Sequence, residues 1–405
     1  MSQISRAMYA YVGSFVMPTP GAHDGLHVFR VDSETGALTP VSSHIPSLNV
    51  GSFALDPQRG VLYVTDEVAS TSEFREQHQV AGGGGGRIFA FTIDRATGGL
   101  SELGHWPSYG TQPAGIALHP SGNFLVVSHF TNRTTTTTQI TGTAQLGFSI
   151  SPRYDDATTV LFPIDAIGRI GAPCHIHIHA ATSPPSCLHS ITLFPTSTND
   201  NNKFYLECDM LQDKLLTFTL ADKPPLLRIH ASHATPKGSG PRYSAFHPTL
   251  PVFYVNYEYH PIIETFTYQT DGSFAFLSKV EVLPSAEELA ANYPPPEGKV
   301  LLSDLKVHPG GGFVYTLVRG YNVLSVFRVD HTTGGLERIQ TVGLMGGVSP
   351  KGCAVSPDGR FVYVALSVSG LVQVWRVEDE NGGRLVFTGS TVSVPRPGAV
   401  LVVEI

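Results

Sequence analysis

The sequence is short of charge. Asp, Glu, Lys and Arg make up 15% of its 405 residues, where about a quarter is usual for a globular chain. Lys and Arg never form a block and the formal net charge is −7, so no nucleic-acid partner is expected. Cysteine is scarce. Cys174, Cys187, Cys208 and Cys353 include no CxxC pair, which leaves no disulfide framework, and reduced thiols in a cytoplasmic protein are expected. Long apolar runs are missing too. No stretch approaches the ~18 residues that span a bilayer, and Met1–Phe15 holds no leader-like apolar core, so no membrane partner is expected. The run Gly82–Gly86 lacks the GK[ST] that completes a phosphate loop and reads as a flexible loop. No GxSxG elbow of a serine hydrolase is present.

Turn formers and short apolar strands are abundant. Gly (41), Pro (30) and a hydrophobic share of 41% point to an all-β protein rich in tight turns. Laid on itself, the chain repeats one unit: an apolar strand, a proline-led turn, a second apolar strand. The turn prolines are Pro57, Pro120, Pro195, Pro248, Pro309 and Pro357. Third strands follow in GLHVFRVDSETGALTPV, GRIFAFTIDRATGGLSEL, VLSVFRVDHTTGGLERI and LVQVWRVEDENGGRLVF, with weaker ones near Thr159, Leu215 and Ile263. The TGG and TGA steps are hairpin-turn chemistry. Six complete inner pairs and one pair split between MYAYVGSF and GAVLVVEI make seven units. The fold expected is therefore a seven-bladed β-propeller occupying residues 1–405 as one domain. Pairing of its terminal strands in one blade closes the ring and removes the exposed sheet edges. Thr134–Thr138 reads as a polar loop and Ala286–Asn292 as a helical turn.

The repeat register locates a site. In a hairpin, the residue before the first strand and the residue after the second lie at the same end of the sheet, and in every blade that end faces the same side of the ring. Six residues before the turn proline stand Gly51, Ala114, His189, Arg242, Ser303 and Lys351. Ten residues after it stand Glu67, Phe130, Glu258, Arg319 and Ser367, and a four-residue insertion in the turn after Pro195 brings Asp209 into the same column. Titratable groups thus gather at positions that other blades fill with Gly, Ala or Phe. Such a rim suits a small anionic ligand: Arg and Lys for a carboxylate or phosphate, His or Glu for proton transfer.

These repeats resemble the lactonase family of seven-bladed propellers, which includes propeller-type 6-phosphogluconolactonases and fungal carboxymuconate cycloisomerases. The resemblance is carried by YVGSF with GLHVFRVDSETGALTPV, by the PSGNFLVV and PDGRFVYVA turns and by GPRYSAFHP, and it covers nearly the whole chain. It implies a functional set of His189 in CLHSITLFP, Arg242 in GPRYSAFHP, Glu258 in VNYEYHP and Arg319 in LVRGYN, all four already in the two columns. The chain departs from the family pattern at Tyr243, where a second His is common, at Lys351, where Arg is common, and at Tyr257, where Asn is common.

The leading expectation is a lactonase that hydrolyses a sugar lactone such as 6-phosphogluconolactone. His189 or Glu258 would activate water, Arg242 and Arg319 would hold the phosphate or the carbonyl oxyanion, and Lys351, Asp209, Glu67 and Tyr243 would line the substrate. Two alternatives stand beside it: a cofactor-independent cycloisomerase that closes a carboxymuconate-type diacid to a lactone, and a non-catalytic propeller used as an interaction platform. No cofactor is expected in either enzyme reading. His175, His177 and His179 would share one face of an extended segment, ~7 Å apart. They are placed in an insertion, and with no further ligand fixed by the sequence no metal is assigned to them. The oligomeric state is left open.

Overall fold

A computed structural model describes residues 7–15, 25–44, 48–68, 86–130, 134–141, 147–154, 157–179, 184–195, 204–221, 223, 226–378 and 382–405. Seven four-stranded antiparallel sheets form the ring. Blade 1 runs outward as Pro397–Glu404, Met8–Ser14, Leu26–Val31 and Leu38–His44, so the terminal strands pair as expected, Tyr9 opposite Val403 and Tyr11 opposite Leu401. The inner strands of blades 2 to 7 are Val50–Asp56, Pro113–Leu118, Leu188–Leu193, Pro241–Phe246, Leu301–Val307 and Pro350–Val355. The weak third strands appear as Ala157–Pro163, Lys214–Leu220 and Ile262–Tyr268.

Apolar side chains pack between blades, not within them. The described residues form seven buried clusters, one at each blade–blade contact, because both faces of every middle strand must be covered. A second device locks the blades in angle. The second-strand tyrosine donates its hydroxyl to a glycine carbonyl in the outer turn of the next blade: Tyr11 to Gly98 and Tyr63 to Gly168 at 3.0 Å, Tyr254 to Gly334 at 3.0 Å and Tyr363 to Gly36 at 3.1 Å. The receiving turns explain the TGG repeats. Asp32, Asp94 and Asp330 accept the two following turn N–H groups. Gly36 turns the chain at φ 71°, where a Cβ would also strike the Phe361 ring.

Two expectations change. Thr134–Thr141 is a strand paired with Gly147–Tyr154 in a separate hairpin between the second and third strands of blade 3, as suits a run of β-branched residues. His175–His179 is no insertion: it is the outermost strand of blade 3. The helix Ala286–Asn292 forms, capped by the Ser285 side chain. Gly82–Gly85 lie outside the described residues.

Candidate active site

Every inner strand carries one extra residue near its N-terminal end. In blade 4 Leu188 pairs with Asp209 and Ser190 with Cys208, so His189 is skipped. Arg242 is skipped in blade 5, Lys351 in blade 7 and Ala114 in blade 3. Gly51 and Ser52 oppose only Thr65, Ser303 and Asp304 oppose only Leu317, and in blade 1 Gly398 is passed over. A bulge re-aims its side chain, and here seven bulges ring one end of the channel. The N–H groups they displace find side-chain acceptors on the second strand: Ser52 N–H bonds Thr65 Oγ1 at 2.9 Å and Tyr243 N–H bonds Asn256 Oδ1 at 3.0 Å. The first sequence column is this bulge column.

Around the opening the polar residues converge. Arg242 donates to Glu258 Oε2, and Arg319 donates to Glu258 Oε1 at 2.7 Å and to the Leu302 carbonyl at 3.1 Å. One carboxylate from blade 5 therefore holds guanidiniums from blades 5 and 6. Burial alone would raise the Glu258 pKa, but Arg242 and Arg319 overcome it and hold the carboxyl at about 2. The His189 ring stands edge-on to Tyr243 at 4.9 Å and to Phe130 at 5.5 Å between centroids. Burial, and then Arg242, push its pKa well below 6.5, so the imidazole is neutral. His189 Nδ1, Arg242 Nε and Arg319 Nε are buried without a hydrogen-bond partner among the described residues. Groups left unsatisfied in this way are costly unless a ligand completes them.

The remaining candidates divide. Tyr243 lines the opening, with the Arg242 guanidinium and the Lys306 ammonium each 5.6 Å from its ring centre, and burial raises its pKa to about 12. The Lys351 ammonium lies over the Phe15 ring. Glu67 comes in from blade 2 over Gly51. Asp209 is not brought to the opening. It pairs with Leu188, the register held by Asp66 opposite Val50 and Tyr257 opposite Pro241. Its carboxylate accepts from Cys187 N–H at 2.9 Å and Gln212 N–H at 3.3 Å. The blade-4 counterpart of Glu258 is Met210, whose N–H bonds the Cys187 carbonyl at 2.8 Å as the Glu258 N–H bonds Gly240 at 2.7 Å. The insertion after Pro195 is one residue longer than expected, and a one-residue slip turns a side chain to the opposite face. Ser303 is likewise spent inside the ring, donating to the Pro350 carbonyl at 2.6 Å.

Sequence reasoning missed Asp304 and Lys306. Asp304 accepts from Lys306 Nζ at 2.6 Å and from Cys353 N–H at 2.9 Å, tying blade 6 to blade 7 beside Tyr243. The alternation in DLKVHP was a usable signal for both. The three histidines share one face, as alternation requires, but His179 Nε2 is already engaged with Thr159 Oγ1 at 2.9 Å, and among the described residues no cluster of His, Cys, Asp and Glu could hold a metal ion.

Residues 9–402 match the family model described as "Lactonase, 7-bladed beta-propeller". The chain belongs to that lactonase family. Among its relatives, the 6-phosphogluconolactonase of Bacillus subtilis strain 168 is 24% identical over 394 residues, 97% of this chain and 98% of the relative. The 6-phosphogluconolactonase of Formosa agariphila is 25% identical over 334 residues, 81% of each chain. The solved structure of a periplasmic gluconolactonase from Pseudomonas aeruginosa superposes with a TM-score of 0.78 at 21% identity, covering 98% of this chain and 99% of that one. No helix among the described residues of this lactonase-family propeller is long and apolar enough to cross a membrane.

Proposed function

We propose that the protein hydrolyses a sugar lactone, 6-phosphogluconolactone or its unphosphorylated counterpart, at the bulge-lined opening. The observation that carries this reading is the Arg242–Glu258–Arg319 cluster beside His189. Glu258 is ionised and both its oxygens are engaged, so it serves to fix the two guanidiniums instead of accepting the proton of water. Two fixed guanidiniums suit the oxygen that becomes negative when water adds to the lactone carbonyl, and preorganised donors of this kind supply much of the rate in acyl transfer. The neutral His189, with Nδ1 unpartnered among the described residues, accepts a hydrogen bond from the attacking water and orients it. The lactonase names of the relatives favour hydrolysis over ring closure of a diacid.

The test is hydrolysis of gluconolactone and 6-phosphogluconolactone, followed by acid release above the spontaneous background. Wild-type protein should turn over at least one, and Arg242→Ala should lose on the order of 10²–10³-fold in kcat/KM while its circular dichroism is unchanged. No turnover of either lactone by wild type, or an Arg242→Ala variant as active as wild type, overturns the reading.

A further inference from the structure

Within that reading one step lacks an actor. Water must lose a proton as it attacks and the ring oxygen must gain one as it leaves, yet Glu258 is held ionised by two arginines, and burial, then the cations beside it, keeps His189 neutral. A base so far below working pH accepts a proton poorly. Asp304 and Lys306 are bonded to each other, which turns attention to Glu67 and Lys351.

Glu67 and Lys351 enter the opening through gaps left by glycine. At Gly51, the blade-2 bulge, a Cβ would lie 2.7 Å from Glu67 Oε2 and 2.9 Å from the Pro113 carbonyl. At Gly398, the blade-1 bulge, it would lie 3.5 Å from Lys351 Cδ, 3.7 Å from Lys351 Nζ and 2.7 Å from Phe15 Cβ. Blades 1 and 2 thus contribute no side chain at the bulge, and the space holds a carboxyl and an ammonium. Each is the foremost charge acting on the other. The other charges facing Glu67 are Arg242 and Asp66, the last residue of the strand before it. Those facing Lys351 are Arg242, Arg319 and Glu258. Cys187, His189 and Tyr243 also stand within electrostatic reach of one or the other. Unlike Glu258 and Asp304, Glu67 has no hydrogen bond fixing its carboxylate among the described residues.

We propose that Glu67 and Lys351 are the proton-transfer pair of this site, Glu67 taking a proton from the attacking water and Lys351 giving one to the ring oxygen as it leaves. The step balances. The pair starts as carboxylate and ammonium. Water's oxygen bonds the lactone carbonyl carbon as its proton passes to Glu67, and the carbon–ring-oxygen bond breaks as that oxygen takes a proton from Lys351. The pair is then carboxylic acid and amine, and one proton passing from Glu67 to Lys351 restores it. Burial pushes the Glu67 carboxyl up and the Lys351 ammonium down, which brings the two proton affinities toward each other. Arginine at 351 could hold an anion but could not release a proton.

The inference rests on the lactonase reading, and the experiment separates the two. The kcat and KM of wild type, Glu67→Gln, Lys351→Arg and Lys351→Met are measured on gluconolactone from pH 5 to 9, with 13C NMR of glutamate-labelled protein to follow the Glu67 carboxyl. Wild type should give a bell centred near pH 7. Glu67→Gln and Lys351→Arg should each lose 10²–10⁴-fold in kcat with KM changed less than about threefold. The Glu67 carboxyl should titrate near neutrality in wild type and shift upward in Lys351→Met. Wild-type turnover with a Lys351→Arg variant that keeps kcat and the bell reduces Lys351 to an anion contact and overturns the pair while the lactonase reading stands. A Glu67 midpoint near 4 also overturns the pair. Absence of lactone turnover by wild type removes the reading and the pair together.

Discussion

Substituting Glu258 by Gln tests the construction of the site most directly. The glutamine fills the same volume and removes only the charge that holds Arg242 and Arg319. The Glu258 carboxyl is depressed from the ordinary 4.5 to about 2. At ~1.4 kcal/mol per pKa unit, that shift corresponds to ~3 kcal/mol of stability above pH 5. The sign follows from the two states: the unfolded chain takes up the proton near 4.5 and the folded chain only near 2, so the contribution is complete above 4.5 and fades as pH falls toward 2. An unfolding entropy of ~2.1 cal/mol/K per residue gives ~0.85 kcal/mol/K for the 405 residues, so ~3 kcal/mol becomes a loss of ~3–4 °C in Tm at pH 7. Calorimetry from pH 7 down to pH 3 should show the gap between variant and wild type narrowing below pH 5. Inorganic phosphate should raise the Tm of the variant more than that of wild type, because two uncompensated guanidiniums would then bind it. Lactonase kcat/KM should fall ~10²-fold as the guanidiniums lose their placement. A Glu258→Gln protein as stable as wild type at neutral pH, or a gap that stays constant into acid, refutes the claim that this carboxylate is a clamp.

Two further outcomes follow from the geometry. Asp209→Ala strips acceptors from the Cys187 and Gln212 N–H groups and should cost ~2 kcal/mol by urea denaturation. Its kcat/KM should stay within about threefold of wild type; a 100-fold loss would place Asp209 back at the site. Tyr363→Phe removes the hydroxyl that bonds the Gly36 carbonyl and latches blade 7 to blade 1. It should lower stability by ~1 kcal/mol, with no change in KM, and an unchanged urea midpoint would show that the latch is idle.

Much of this was legible in the chain itself. Blade count, ring closure through Met8–Ser14 and Pro397–Glu404, and the Asp-headed turns follow from local pattern: apolar alternation, turn prolines and the TGG steps are short-range signals, and a fold made of equivalent hairpins repeats them. The same periodicity brought His189, Arg242, Glu258 and Arg319 to one rim, because equivalent slots in equivalent hairpins must face the same way. Asp209 escaped it because the turn after Pro195 is longer than its neighbours, and an error of one residue in a strand inverts the side chain.

What the chain could not state is what those residues are to one another. Glu258 reads alone as a proton acceptor, and becomes a fixed anion only when Arg319 arrives from the next blade. Gly51 reads as an empty slot and Gly398 stands in neither column, yet the space beside them is where Glu67 and Lys351 stand. Ionisation and proton affinity are set by burial and by charges distant in sequence. Those distances exist only once the ring has closed.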